Sequence, residues 1–540
     1  MLQLFLGAPL ALAGCRRRSE VRPVDGELVS SFEAVGHRLR DEGAVELPAP
    51  SSDDPLFDEV VVGGGVAGLT ARRRLSESGL RVALVEADDV LGGTAKCGGH
   101  AGAAYPWGAH YVTAPLVEAR PMVRLLEELG VVVGRSADGT DVVLAEDALV
   151  RAPEERLFHL GRWEDGLYPR AGAGDEELAE LTRFREQSRT LASLRDGAGR
   201  RAFIAPLALA SRDATILALD ALTMAEWLAR EGYRSPRLRW LIDYACRDDF
   251  GLRLEHTSAW AALFYFAART GPDGEPRAVI PWPEGNGRLV RHLADRGTGP
   301  VLIRALVRRV SGALDGPESP LTVVIEDRAG ARRGLRARQV VLAVPRFIAE
   351  RVVDGLAAGV PRSEAPSYGS WVVANLTLRA AFLRDEAPPA WDNVFFRSPS
   401  LGYVNARHQL DARADELTLT HYYALCDSDP KAVREKLLAV DHARWSDVVL
   451  TDLEAAHPRI REHAVRLDVL RWGHAMVRPT PGVRAHAASG LGSRTFGRVH
   501  FAHTELSGVA LFEEAHAHGL RAAEEVLVAL GRTVESELGG

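Results

Sequence analysis

The spacing of apolar and polar positions changes period several times along the chain, and each change predicts an element. Glu59 to Val62 is a short apolar run ended by glycine, as in a buried strand. Val66, Leu69 and Leu75 then recur at helical spacing until Gly79 stops the run. Arg81 to Val85 is rich in β-branched residues and predicts a second strand, with Glu86 at its carboxyl end. Pro115 to Ile280 is dominated by helical spacing, as in Val117 to Leu129 and Met224 to Trp240, and Ala259 to Ala268 reads as a short buried helix. Leu289 to Leu293 is amphipathic, 301–312 (VLIRALVRRVSG) reads as a strand pair, and Val340 to Val344 as a buried strand ended by Pro345. Gly369 to Trp472 alternates, with SWVVANLTL (370–378) and ELTLTHYYAL (416–425) predicted as strands of one antiparallel sheet. Gly497 to Leu527 predicts a strand, a loop and a last helix that turns Ala522 and Ala523 toward a sheet.

The first of these stretches carries chemistry. Gly63, Gly65 and Gly68 fill the positions G-x-G-x-x-G between strand and helix, and Val66 and Ala67 open that helix. The first glycine permits a tight turn, the second lets backbone approach a pyrophosphate, and the third lets helix and strand lie close. The helix amino terminus offers free N–H groups and partial positive charge to phosphates. Glu86 follows roughly 20 residues on, where an acid accepts both hydroxyls of an adenosine ribose. Strand, turn, helix, second strand and acid in one register predict a dinucleotide site.

After Glu86 come a second glycine pair, Gly92-Gly93, and a third turn, Gly108-Ala109-His110. With the block around Glu284-Gly285-Asn286-Gly287 and the closing Phe501-Ala502…Ala515…Gly519 segment, this order resembles the flavin-containing amine oxidase superfamily, which also includes phytoene-type desaturases. The resemblance implies FAD, bound noncovalently because no late cysteine stands where that family attaches flavin. It implies that backbone near Val307 meets adenine, that His503, Thr504 and Glu505 lie by the flavin, and that the helix opened by Phe512 and Ala515 points at the N1/C2 edge of the ring. The fold expected is α/β: a Rossmann-like FAD domain (58–114, 281–349, 495–540) interleaved with a mixed α+β substrate domain (115–280, helix-rich; 350–494, sheet-rich).

The resemblance has departures. The chain has three lysines, Lys96, Lys431 and Lys436, and none falls near Pro281, the position aligned with the lysine that many family amine oxidases hold near flavin N5. The family's Phe-Ala-Gly-Glu is replaced by Phe501-Ala502-His503-Thr504-Glu505, and paired aromatics of an amine cage are not identifiable, Phe512 being the nearest. His110, Tyr111, Trp472 and His474 are the candidates for the substrate pocket, with Trp282 and Arg478 beside them. The expected reaction is hydride removal from a C–H bond of an amine, such as a polyamine or amino acid, to flavin N5, with reoxidation by oxygen or another acceptor. Two alternatives stay open: a desaturase-like enzyme acting on an apolar isoprenoid-type substrate, and a non-enzymatic binding protein on the same fold.

Composition narrows the rest. A chain of 540 residues, 46% hydrophobic, can bury several cores. A formal net charge of −7 carries no nucleic-acid footprint. Cys15, Cys97, Cys246 and Cys426 are too scattered for a zinc site or disulfide framework, and His500, His503, His516 and His518 are not read as metal ligands. Leu2 to Ala13 is apolar, and Leu12-Ala13-Gly14-Cys15 resembles a bacterial lipobox, so residues 1–15 are expected to be a lipoprotein signal that leaves Cys15 lipidated. Residues 16–57 then serve as a polar tether, and the protein is expected in the cell envelope, with a cytoplasmic location as the alternative.

Overall fold

The glycine turn and the strands around it are the centre from which the architecture grows. In a computed structural model, residues 24–29, 33–42, 51, 54–356, 366–385, 390–408, 416–427, 429–484 and 494–538 are described. The strand Leu56–Val62 runs parallel to Val82–Val85 on one side and to the second half of Arg332–Leu342 on the other. Val301–Leu302 adds beyond Val82–Val85, also parallel. The strand Arg332–Leu342 is long enough to serve two partners along one edge. Its first half pairs antiparallel with Leu321–Glu326, which pairs in turn with Leu306–Ser311; its last residues pair parallel with Val499–Phe501. The expected strand pair at 301–312 therefore consists of two strands of one sheet that are not partners of each other.

One face of this sheet is covered by the helices Val66–Glu77 and Phe512–Ala529. Val61, Val341 and Ala502 pack there with Leu69, Ala522, Ala523 and Val526, so the predicted sheet-facing alanines are in contact. The two helices lie unusually close. A Cβ on Gly519 would stand 2.3 Å from the Ala67 carbonyl oxygen, and Thr70 Oγ1 meets His516 Nδ1 at 2.9 Å.

The second sheet has the order Leu28–Val29, Ala464–Val477, Tyr368–Arg379, Glu416–Leu425, Tyr403–Asn405, Asp392–Phe395, Glu155–His159, Arg162–Asp165. The two predicted strands at 370–378 and 416–425 are antiparallel neighbours in it. Its outer face carries Leu376, Leu419 and Val469 against the helices Pro430–Ala439 and His442–Glu454. Its inner face carries Trp371, Val373, Tyr422 and Trp472. A helical layer, including Asp175–Ser193, Pro236–Phe250 and Ala259–Ala267, forms a third wall.

Three readings of the pattern are corrected. The single helix expected over Met224 to Trp240 is two, Met224–Arg230 and Pro236–Phe250. Gly232 takes φ +74°, and Ser235 caps the second helix by accepting from Leu238 N at 3.2 Å, with Pro236 in its first turn. The helix-rich stretch also supplies two strands, Glu155–His159 and Arg162–Asp165, to the far edge of the second sheet. Part of the expected tether is folded. Leu28 and Val29 pair with Val469 and Leu470, and the helix Glu33–Asp41 sends Arg38 to Glu326 of the other sheet. Cys15 lies outside the described residues, and no described helix is long and apolar enough to cross a membrane.

Candidate active site

Register brings the distant glycine-containing blocks together. Leu342 is opposite both Val62 and Phe501, and Val62 is opposite Val85. The chain segments that follow, Gly63, Glu86, Ala343 and Ala502, therefore leave the sheet along one edge. This is the carboxyl edge of the parallel strands, where ligands of open α/β sheets bind.

The glycine turn is built for close approach. Gly63 takes φ +102°, and a Cβ there would stand 2.5 Å from the Ala343 carbonyl oxygen. A Cβ on Gly68 would fall 1.9 Å from the Gly63 oxygen, so the helix can lie on the strand only with glycine at that position. Gly65 differs: its Cβ would meet nothing nearer than the Gly93 Cα at 3.9 Å, leaving room beside the helix amino terminus for a ligand. Gly92 N bonds to the Gly64 oxygen at 2.8 Å, joining the first and second glycine turns. The Glu86 carboxylate lies over this junction, accepting from Gly64 N at 2.6 Å and Asp88 N at 2.7 Å. Burial raises the Glu86 carboxyl, and the two backbone donors oppose that rise. The second block arrives beside it, with Ala305 N on the Glu86 oxygen at 2.9 Å. Val307 follows two residues later with its side chain in the core, so only backbone there can serve a ligand.

In the closing block His503 caps a short turn, and Glu505 accepts from Arg346 N at 2.6 Å and from the Tyr368 hydroxyl. Phe512 and Ala515 open the last helix; Phe512 lines a cavity, and Ala515 packs on the first core, the one between the parallel sheet and its two covering helices. The histidines His500, His516 and His518 are dispersed to Gln339, Thr70 and Ser507 respectively.

The cavity, about 190 Å³, lies between the inner face of the second sheet, the helical layer and the turns that follow the glycine blocks. Its floor is Thr94, the turn Gly108 to Thr113, Asn286 and Ala510 to Glu513; its roof is Trp371, Val373, Tyr422, Trp472 and Met476. The floor turn is clamped from three directions. Asn286 Nδ2 donates to the Tyr111 oxygen at 3.0 Å, Tyr422 Oη to the Gly108 oxygen at 2.9 Å, and Trp472 Nε1 to the Trp107 oxygen at 2.6 Å. Pro281 pairs with Tyr111 in a two-stranded ladder, which puts the lysine-free position next to the cavity wall. Lys96 is buried instead behind Trp472, its Nζ 5.0 Å from that ring and 2.7 Å from Asp88 Oδ2.

His110, Tyr111 and Trp472 thus share the cavity, while His474 does not line it. His474 stacks against Phe347 at 4.8 Å and faces Tyr368. Trp282 packs on the first core, and Arg478 is buried near Ser367. The cavity also has residues that pattern reading missed. His110 stacks on Tyr422 at 4.7 Å and approaches Trp391 at 5.7 Å; Tyr111 meets Trp391 edge-on at 5.6 Å. Burial holds the His110 imidazole down to about 4, so it is neutral at pH 7. Asp248, Asp249 and Arg269 also line the cavity, with Arg269 paired to Asp249 and 5.8 Å from the centre of the Tyr111 ring. One signal for the acids was present in the sequence. Asp248 and Asp249 fall in the last turn of the helix Pro236–Phe250, where the helix dipole disfavours negative charge, so their placement calls for a reason other than helix stability.

A glycine cradle with ligand room, an acid at the strand end and an aromatic cavity beside them are the parts of a cofactor-dependent oxidoreductase. The model of the flavin containing amine oxidoreductases matches residues 66–527, and the chain belongs to that family. Solved structures with the same fold include putrescine oxidase bound to putrescine (20% identity, TM-score 0.63, 88% of this chain and 99% of that one). Cyclohexylamine oxidase from Brevibacterium oxydans IH-35A superposes similarly (20%, TM-score 0.62, 88% and 100%). So does a CLA-producing fatty acid isomerase from P. acnes (16%, TM-score 0.59, 89% and 99%). Among curated proteins, a pseudooxynicotine dehydrogenase from Pseudomonas sp is 32% identical over 117 residues, 21% of this chain. A thiamine thiazole synthase from Aeropyrum pernix is 42% identical over 74 residues, 14% of this chain. The chain spans 23% of the length of each of these two relatives.

Proposed function

We propose that this chain is an FAD-dependent oxidoreductase that removes hydride from the carbon beside an amine nitrogen, holding its FAD noncovalently. The observation that carries the reading is the placement of the glycine cradle and Glu86 on the same sheet edge as a cavity walled by rings and acidic side chains. The residues fit FAD. Gly65 leaves space at a helix amino terminus for a pyrophosphate, Glu86 stands where ribose hydroxyls are accepted, and the last helix opens at the cavity floor. When bound, the flavin would supply the hydride acceptor.

The chain's own residues bind, orient and exclude water. Tyr422, Trp472 and Asn286 fix the floor turn, so the ring faces of His110 and Tyr111 are set before substrate arrives. A neutral His110 imidazole adds no positive charge for an incoming amine to meet, and the Arg269 guanidinium in the wall is paired with Asp249. The fold alone does not choose among substrates, since a fatty acid isomerase shares it. The polar wall of Asp248, Asp249, Arg269 and Glu513 favours the amine, because an apolar isoprenoid chain would leave those groups enclosed without water.

The lipidation of Cys15 and a cell-envelope location belong to the same proposal and rest on the Leu12-Ala13-Gly14-Cys15 sequence. Mass spectrometry of the mature protein tests them: an unmodified residue 15 overturns both. For the flavin, acid precipitation of purified protein should release FAD into the supernatant. Flavin left in the pellet would contradict noncovalent binding. For the reaction, anaerobic addition of amines should bleach the flavin band, and an unsaturated lipid doing so instead would favour a desaturase.

A further inference from the structure

Ahead of a helix, asparagine is favoured because its side-chain oxygen can accept from the first turn. Asn286 stands in that position before the helix Gly287–Arg296, yet its side chain makes no such bond. Its Nδ2 instead donates to the Tyr111 oxygen at 3.0 Å, and its backbone N to the Ala109 oxygen at 3.0 Å. A carbonyl oxygen can only accept, so the Tyr111 contact fixes which end of the amide is which. Oδ1 is the end left over. It belongs to a residue that is 1% exposed and lines the cavity, and it has no donor among the described residues.

Asn286 is also held too firmly to find a donor by moving. Gly285 before it takes φ +58°, and a Cβ there would stand 2.7 Å from Pro106 Cβ and 2.9 Å from the Ala109 oxygen. A Cβ on Gly287 after it would stand 2.7 Å from Cys97 Sγ. Pro106 is itself fixed, its oxygen accepting from Asn375 Nδ2 at 3.0 Å. Other cavity-lining residues carry enclosed polar atoms without a partner, but each has another explanation. Asp249 and Arg269 have each other, and Trp371 Nε1 backs onto Gly251, where a Cβ would stand 2.8 Å away. Asn286 Oδ1 is a neutral acceptor on the cavity floor with His110 and Tyr111. An enclosed acceptor without a donor calls for one from a ligand.

We propose that Asn286 Oδ1 orients the substrate nitrogen by accepting an N–H of the neutral amine, so that this chain acts on primary and secondary amines and poorly on tertiary ones. This rests on the amine-oxidising reading above. An amine yields hydride from its neighbouring carbon only while its lone pair is free. An amide oxygen takes the N–H and leaves the lone pair alone, whereas a carboxylate in the same place would favour the ammonium form. In the reaction the C–H bond breaks with both electrons passing to the flavin, and the lone pair closes a C–N double bond. The substrate becomes an iminium cation that keeps its N–H. That N–H is a stronger donor than the amine's, so the bond to Oδ1 tightens on the way to the transition state.

The test follows anaerobic reduction of the flavin-loaded full-length enzyme by 1,4-diaminobutane and its N,N′-dimethyl and N,N,N′,N′-tetramethyl derivatives, whose ends are primary, secondary and tertiary. Rapid mixing separates the limiting reduction rate from the apparent Kd. Asn286→Leu should lower the limiting rate on the order of tenfold or more for the first two amines, with much smaller effects on their Kd and on the tertiary amine. Equal losses on all three would show that Asn286 only clamps the floor turn, overturning the proposal while leaving amine oxidation standing. A wild-type enzyme that oxidises the tertiary amine as fast as the primary one would overturn it too. Where Asn286→Leu folds poorly or loses flavin, a crystal structure of dithionite-reduced wild type with 1,4-diaminobutane decides. An amine nitrogen within hydrogen-bond distance of Oδ1 supports the proposal; Oδ1 bonded to the flavin or to an ordered water overturns it. If none of the amines reduces the flavin, the amine-oxidising reading fails first, and this inference with it.

Discussion

Replacing Glu514 by glutamine should make the protein markedly less sensitive to alkaline pH. Glu514 is 2% exposed on the last helix, two residues beyond Phe512. Its Oε1 accepts from Leu207 N at 2.6 Å, and its Oε2 lies 2.5 Å from Ser507 Oγ, which is itself 2.6 Å from His518 Nε2. A protonated Glu514 can donate to Ser507, which then donates to a neutral His518, giving a chain in which every proton has one acceptor. Burial, the largest cause, pushes the Glu514 carboxyl up to about 7, and burial likewise holds His518 well below its ordinary value. The ordinary carboxyl value is 4.5. An acid raised on folding binds its proton more tightly in the native state. Its contribution to stability is full below about 4.5 and is lost as pH rises through about 7. The shift of about 2.5 units corresponds to about 3 kcal/mol. With about 2.1 cal/mol/K of unfolding entropy per residue, that amounts to about 3 °C in Tm for a chain of this size. Glutamine keeps the acceptor for Leu207 N and a donor for Ser507 but cannot ionise. Scanning calorimetry of wild type and Glu514→Gln at two pH values, one well below 7 and one well above, should show the variant gaining about 3 °C relative to wild type at the higher pH. A difference that stays the same at both, or that moves against the variant at high pH, would refute the protonated chain.

Other perturbations probe other layers. Gly65→Val combined with Gly68→Val should abolish bound flavin, read from the visible spectrum of purified protein; flavin retained at wild-type stoichiometry would remove the glycine turn from the site. Lys96→Met should destabilise by about 3–5 kcal/mol by stranding the buried Asp88 carboxylate, with much of the loss recovered in the Lys96→Met/Asp88→Leu pair. Denaturant midpoints of the singles and the double measure this, and additive losses would mean the two do not act as a pair. Tyr422→Phe removes the hydroxyl donor to the Gly108 carbonyl and should cost about 1–2 kcal/mol while lowering kcat/KM for amines. An unchanged kcat/KM would show that this clamp does not set the floor turn. Gly519→Val would set a side chain against the Ala67 oxygen and Thr70, forcing the last helix off the first, and flavin affinity should fall with stability.

What could be read from the sequence was what depends on local order. Gly63, Gly65, Gly68 and Glu86 announce their geometry through neighbours a few residues away, and the alternation at 370–378 and 416–425 reports a sheet with two unlike faces. The cavity depends on long-range register. Trp391, Tyr422 and His110 meet because strands from three segments align, and nothing near any one of them in sequence indicates the other two. Helical spacing carried through Gly232 and Pro236, so a cap read as continuous helix, and the polar stretch holding Leu28, Val29 and Glu33–Asp41 concealed elements that gain their partners only from the finished sheets.

The central claim is that one sheet edge holds FAD against a cavity that accepts amines. An anaerobic spectrum of the purified protein before and after adding 1,4-diaminobutane tests it most directly. The expected result is a yellow protein whose flavin band collapses to the reduced form and returns on admitting air. A colourless protein, or a flavin band that no amine diminishes, would contradict it.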